Sequence, residues 1–171
     1  MKYINKSLTI EKVRFQNIAK KFGTPFYCYS YKKLKENIAN FKRNFNSFSP
    51  IICFAVKSNT NVRLVREIGK LGLGADVVSM GELMLALKAG IQPKKIVFSG
   101  VGKTSTEISY AIDRKILLIN AESKSEIIEI EKIAKSKKTN VNIGIRLNPN
   151  TDAKTLKQIS TGKKENKFGV D

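Results

Sequence analysis

Residues 51–59 read Ile51-Ile52-Cys53-Phe54-Ala55-Val56-Lys57-Ser58-Asn59. The run is apolar up to Val56 and turns polar at Lys57. Such a run marks a parallel strand buried on both faces, and α/β folds place their chemistry where these strands end. A lysine there can be held above a packed sheet with little water around it, which makes its amine nucleophilic toward an aldehyde. It can equally cap the strand and reach solvent. The surrounding chain decides between the two.

Downstream, strands and helices alternate. Asn59 or Asn61 can cap a helix whose inner face is Val62, Leu64, Val65 and Ile68, and Gly69, Gly72 and Gly74 turn the chain. Further strands are predicted at Ala75–Val78, Lys94–Phe98, Ile116–Ile119 and Val141–Leu147. Ser79 with Glu82, Thr104 with Glu107 and Ser123 with Glu126 have capping-box spacing and open the intervening helices. The first of these carries Leu83, Met84 and Leu87; the last carries Ile127, Ile130, Ile133 and Ala134. Strand starts recur roughly every 21 to 25 residues, the length of a minimal strand-helix unit. The fold class is therefore α/β, an incomplete (β/α)8 TIM barrel with about five of eight units. The first and fifth strands would leave bare apolar edges, which natural proteins avoid, so the chain is expected to be the front part of a larger barrel enzyme. Thr151 to Asp171 reads as a polar loop on the active face, leading to Phe168-Gly169-Val170.

Upstream, residues 1–13 show no clear period. Phe15, Ile18, Ala19 and Phe22 sit at helical spacing before Gly23. Pro25 opens a short predicted strand, Phe26–Tyr29, and Ser30 caps an amphipathic helix carrying Leu34, Ile38, Phe41 and Phe45. The expected division is a lead-in and helix over 1–24 and a truncated barrel domain over 25–171.

Composition limits the chemistry. The 171 residues hold 42% hydrophobic residues, enough for a core. The net charge of +18 invites anionic partners, and a basic RNA-binding module is one reading of it. The lysines are scattered with no arginine-aromatic pattern, so neither nucleic acid nor a membrane is expected as a partner. Histidine is absent, which removes histidine acid-base chemistry and histidine-ligated metals from this chain, and no metal is expected. Cys28 and Cys53 fall on predicted strands and read as small buried residues of a reducing compartment. No signal peptide and no 18-residue apolar span is present, so the expected location is the cytoplasm.

Three residues stand at strand ends: Lys57, Asp76 and Arg146, with Ser99 and Gly100 after the third strand. In a barrel these ends converge on one mouth, where a lysine, a carboxylate and an arginine suit a cofactor with an aldehyde, a pyridine ring and an anion. Gly100-Val101-Gly102-Lys103-Thr104 lacks the four-residue gap of a nucleotide phosphate loop, so nucleotide hydrolysis is rejected.

Six ordered segments resemble one family. They are Phe22–Tyr27, Phe54–Asn59, Gly74–Ser79 with Gly81-Glu82-Leu83, Lys95–Thr104, Arg146–Pro149, and Ile159–Gly162 through Lys167–Gly169. The chain resembles the N-terminal part of the diaminopimelate decarboxylases, pyridoxal-phosphate enzymes of the alanine-racemase-like barrel group. The resemblance implies pyridoxal 5'-phosphate as cofactor, Lys57 as the catalytic Schiff-base lysine, and Asp76 and Arg146 as cofactor-pocket residues. It implies decarboxylation of meso-2,6-diaminopimelate to L-lysine and carbon dioxide, in a homodimer. The strand Phe26–Tyr29 is then expected to belong to the family's second, β domain. The family barrel continues past the matched part, with a cofactor-stacking histidine, a glycine-rich phosphate loop and a carboxyl-terminal β domain. A complementing C-terminal fragment is thus an implied partner, and little activity is expected from this chain alone. Thr155–Gln158 lacks a histidine that the family often carries there. A noncatalytic pyridoxal-phosphate-binding barrel is the competing reading, and Ile159–Gly169 resembles it less well.

Overall fold

A computed structural model of the chain describes residues 1–45, 47–151 and 169–170. The chain divides into two compact units, Met1–Pro50 and Ile51–Asp171.

The first unit opens with an antiparallel sheet that the sequence pattern did not suggest. Strands β1 (Lys2–Ile4), β2 (Ser7–Ile10) and β3 (Val13–Arg14) pair in that order. Both hairpins turn on two residues with positive φ, Asn5 (47°) and Lys6 (60°), then Glu11 (47°) and Lys12 (71°). Two-residue loops of this hand match strand twist, but glycine usually marks them, and its absence hides the signal. Helix α1 (Phe15–Phe22) follows, and Gly23 ends it at φ 78°. No strand forms at Phe26–Tyr29: among the described residues it has no ladder partner, and Tyr27 and Tyr29 are exposed. Helix α2 (Tyr31–Arg43) starts as predicted, with the Ser30 hydroxyl accepting from Lys33 N at 3.0 Å. The Ser30 hydroxyl and the Lys32 N–H both donate to Glu11, fastening the β2–β3 turn to the start of α2 and lowering the Glu11 pKa.

The second unit is an α/β fold on a five-stranded parallel sheet. Its strands are β4 (Cys53–Ala55), β5 (Gly74–Val77), β6 (Ile96–Phe98), β7 (Leu118–Ala121) and β8 (Ile143–Ile145), side by side in chain order. Between them run α3 (Val62–Lys70), α4 (Met80–Lys88), α5 (Ser105–Asp113) and α6 (Lys124–Ser136). One face of the sheet is covered across β5, β6 and β7, while Ile143 and Ile145 of β8 on the same face stay 39% and 54% exposed. Ala75, Val77, Ile96, Phe98, Ile119 and Ala121 share that face and are all 0% exposed, packed with Ile68, Leu83, Ile108 and Ile130 of the helices. Each fully buried valine, leucine, isoleucine or phenylalanine here contributes roughly 1.5–3 kcal/mol and each alanine about 0.8 kcal/mol, so this layer dominates the unit's stability. Met84, expected inward, is 51% exposed; Leu83 and Ala86 supply the buried stripe of α4. Gly74 is required by packing: a Cβ there would lie 2.0 Å from the Lys95 carbonyl oxygen.

The first strand is shorter than expected. The predicted strand to Lys57 stops at Ala55, and Val56–Ser58 form a 3₁₀ turn, with Asn59 N donating to Val56 O at 3.0 Å and the Ser58 hydroxyl to Ala55 O at 2.7 Å. At the far edge, Leu147 and Val170 form a parallel bridge, with Asn148 N donating to Val170 O at 2.7 Å and Val170 N to Arg146 O at 2.8 Å. The rest of the predicted 151–171 loop, including Thr155–Gln158 and Ile159–Phe168, lies outside the described residues. No helix among the described residues is long and apolar enough to cross a membrane.

Candidate active site

All five parallel strands point the same way, so their carboxyl ends form one rim. Lys57 stands on the middle of the 3₁₀ turn after β4 and is exposed. Ala55, two residues earlier, pairs with Asp76 on β5. Among the described residues the Lys57 amine has no hydrogen-bond or salt-bridge partner. Val56 beside it is fully buried and anchors the turn, so the backbone under the amine is fixed while its tip is accessible.

Asp76 lies on the sheet face opposite the helices and is half-buried. Its register partner is Val97, and Ser99 lies two residues on, on the same face. The Ser99 hydroxyl donates to Asp76 Oδ1 at 2.6 Å, and Asn120 Nδ2 donates to Ser99 Oγ at 3.0 Å. Three strands thus contribute one directed chain, Asn120 to Ser99 to Asp76, which fixes the carboxylate as an acceptor. Asn120 pairs with Gly144, where a Cβ would come within 2.3 Å of Asn120 Oδ1; the glycine makes room for the amide. Cys53 lies on the same face, and burial, then the Asp76 charge, pushes its thiol pKa up. Ser99 was noticed in the sequence as a strand-end residue; Asn120 was missed, because a polar residue near a strand end carries no signal of its partner.

Arg146 follows β8 and is partly exposed. Its Nη1 donates to both carboxylate oxygens of Glu122, each at 3.1 Å. Glu122, just past β7, is buried, and its Oε1 also accepts from Gly100 N at 3.2 Å. Lys103 explains the Gly100–Thr104 segment. Its ammonium is buried and donates to Gly100 O (2.6 Å), Asn120 O (2.7 Å) and Glu126 Oε1 (3.0 Å). A lysine with a 1%-exposed side chain and three internal acceptors is a clamp between the β6–α5 and β7–α6 loops, and it leaves no amine for a phosphate. Glu122 and Lys103 were not singled out as a pair in the sequence; the available signal was that Glu126, the third capping glutamate, has a second oxygen to satisfy.

The three expected capping boxes resolve differently. Thr104 and Glu107 form the reciprocal box, Glu107 N donating to Thr104 Oγ1 at 3.3 Å and Thr104 N to Glu107 Oε2 at 3.0 Å. Ser79 and Ser123 cap as expected, but Glu82 and Glu126 accept from the residue before the cap, Val78 N at 2.9 Å and Glu122 N at 2.7 Å. Glu107 also accepts from Met80 N at 3.0 Å, joining the starts of α4 and α5. Its bonds from the Thr104 and Met80 N–H groups, in that order, hold its carboxyl below the usual range.

The structure brings Lys57, Asp76 and Arg146 to one end of one sheet, on three different strands' ends, with Asp76 bound to Ser99 and Arg146 to Glu122. Comparison with known proteins gives this end a context. The family profile described as "Pyridoxal-dependent decarboxylase, pyridoxal binding domain" matches residues 31–171. The chain is 48% identical over 157 residues to a diaminopimelate decarboxylase of Helicobacter pylori (strain J99), covering 92% of this chain and 39% of the relative. It is 45% identical over 171 residues to that of Aquifex aeolicus, covering all of this chain and 40% of the relative. Among solved structures, diaminopimelate decarboxylase from Helicobacter pylori complexed with L-lysine superposes with a TM-score of 0.89 at 47% identity, over 92% of this chain and 40% of that one. The chain therefore spans about two fifths of the length of these relatives. With a profile match across most of its length and a parallel α/β sheet of the same fold, this chain belongs to the pyridoxal-dependent decarboxylase family, in its pyridoxal-binding domain.

Proposed function

We propose that this chain supplies the Schiff-base lysine and part of the cofactor pocket of an enzyme that decarboxylates meso-2,6-diaminopimelate to L-lysine and carbon dioxide. The observation that carries the reading is the 48% identity over nearly the whole chain to a diaminopimelate decarboxylase, joined to an accessible amine at the carboxyl end of a parallel sheet. The five strands and the four helices between them are read as part of an eight-unit barrel, about five units of it, completed by a further segment, in a cytoplasmic homodimer.

The residues fit pyridoxal phosphate. An exposed primary amine on an anchored turn can capture an aldehyde, and no internal partner competes for it among the described residues. Asp76, oriented by Ser99 and Asn120, offers a fixed negative charge on the same side of the sheet as Cys53 and Gly144. Arg146 offers a guanidinium to an anion. When bound, pyridoxal phosphate supplies the electron sink for the pair released as carbon dioxide leaves. The chain's own contribution is to hold the amine on an anchored turn and to set the charge around it.

The test is spectroscopic. Adding pyridoxal phosphate to the chain is expected to give a protein-bound cofactor absorbance band that Lys57→Ala abolishes. Identical spectra for both proteins would remove Lys57 from the reading. Carbon dioxide release from meso-diaminopimelate is expected to be small for the chain alone; turnover matching a full-length relative would overturn the part of the reading in which a further segment completes the site.

A further inference from the structure

We propose that Glu122 is a positioning residue that holds Arg146 ready for an oxyanion, a phosphate or a carboxylate, at the rim of the sheet. The inference rests on the reading of Arg146 as a pocket residue. Glu122 has no part in that reading, yet it is buried, and burying a carboxylate is costly unless it is bonded. Its bonds are specific. Both oxygens meet Arg146 Nη1 at 3.1 Å, and Oε1 also takes Gly100 N at 3.2 Å. Its own N–H donates to Glu126 Oε2 at 2.7 Å, and Glu126 Oε1 takes the Lys103 ammonium at 3.0 Å.

The result is one network of two anions and two cations that joins the ends of β6, β7 and β8. Three members are nearly sealed from water: Lys103, Glu126 and Glu122 have side chains 1%, 8% and 4% exposed. The fourth is not, since the Arg146 side chain is 38% exposed. The base of the network is thus buried, and the arginine is its partly exposed member. A free arginine loses much rotamer freedom on gripping an anion, and holding it beforehand removes that cost from binding. Gly100 is gripped at both its N–H, by Glu122, and its carbonyl, by Lys103, so the carboxylate cannot swing away from Arg146 without moving the loop.

The test uses the chain with labelled arginine side chains, the Arg146 signals assigned by loss in Arg146→Lys. In the wild type, the Arg146 guanidinium is expected to show slowed rotation by NMR, and titration with inorganic phosphate is expected to shift its signals. Glu122→Gln, which keeps shape and removes charge, is expected to free the rotation and weaken the phosphate response about three- to tenfold, the range for a charged hydrogen bond discounted for partial exposure. Glu122→Asp is expected to restore part of both. A phosphate response in Glu122→Gln equal to or stronger than in wild type, with both folded, would overturn the proposal, since the carboxylate would then only repel the anion. Titration with pyridoxal phosphate and with pyridoxal separates the anion's source: a Glu122→Gln loss seen only with the phosphorylated form assigns the phosphate, and an equal loss with both excludes it. A wild-type cofactor band that Lys57→Ala leaves intact counts against the Lys57 reading, and the inorganic-phosphate arm still decides this one.

Discussion

Replacing Lys103 by methionine tests the loop clamp most directly. The substitution keeps an unbranched stem of similar length and deletes an ammonium that has three acceptors. It leaves the Glu126 carboxylate, 8% exposed at its side chain, without its cation, and the Gly100 and Asn120 carbonyls without that donor. Removing one partner of a buried ion pair costs about 3–5 kcal/mol, because the remaining charge stays out of water. For a chain of this size that corresponds to a fall in melting temperature of roughly 6–20 °C. An exposed phosphate-gripping lysine would give a change within about 0.5 kcal/mol on the same substitution. The assay is urea unfolding followed by circular dichroism, with wild type, Lys103→Met, Glu126→Gln and the double variant. The double variant is expected to recover part of the loss, since the neutral amide no longer needs a cation, and the cycle isolates the coupling. A Lys103→Met protein within about 1 kcal/mol of wild type, with no coupling to Glu126, would refute the clamp and reopen the phosphate reading of Gly100–Thr104.

Other consequences are open to measurement. Gly74→Ala puts a methyl group 2.0 Å from the Lys95 carbonyl oxygen, a backbone atom that cannot swing aside; a loss of at least about 2–3 kcal/mol by the same unfolding assay is expected. Glu107 has a folded-state pKa below its unfolded one, so its bonds contribute fully above the unfolded value near 4.5 and are lost as pH falls through the lower folded value. Glu107→Gln is accordingly expected to lower stability at neutral pH and to flatten the acid limb of a stability-pH profile; an unchanged slope below pH 4.5 would count against the assignment. Asp76→Asn removes the charge that, after burial, raises the Cys53 thiol pKa, so Cys53 should react with an alkylating reagent at a lower pH in the variant, as read by mass spectrometry.

The parallel unit was legible because its signals are local and repeated. Each helix from α3 to α6 begins at a side-chain cap that the sequence exposes, and Asn61, Ser79, Thr104 and Ser123 all cap as expected. The strand order follows from the alternation itself. What was hidden depends on contacts between distant residues. The apolar run 51–57 gave no sign that hydrogen bonding would close a 3₁₀ turn at Val56, so Lys57 was expected on the strand instead of beyond it. The β1–β3 hairpins turn on Asn-Lys and Glu-Lys pairs, which lack the glycine that usually advertises such turns. Phe26–Tyr29 has strand composition but nothing to pair with, and composition cannot supply a partner. At the rim, the strand-end positions of Asp76 and Arg146 were readable one at a time. Their supports, Ser99 with Asn120 and Glu122 with Gly100, lie more than 20 residues away in sequence and are joined only by the sheet's register.

The glutamates at the openings of α4, α5 and α6 carry one more implication. A helix start ordinarily welcomes negative ligands, because its unpaired N–H groups and dipole present a partial positive charge. Here Glu82, Glu107 and Glu126 each set a carboxylate beside those doorways, bonded to the N–H of the cap residue or of the one before it, and repel any second anion. A phosphorylated guest meets three occupied berths side by side. Its phosphate must be received by other groups, so cofactor affinity should respond to the basic side chains and loops beyond these three helices far more than to the helices themselves.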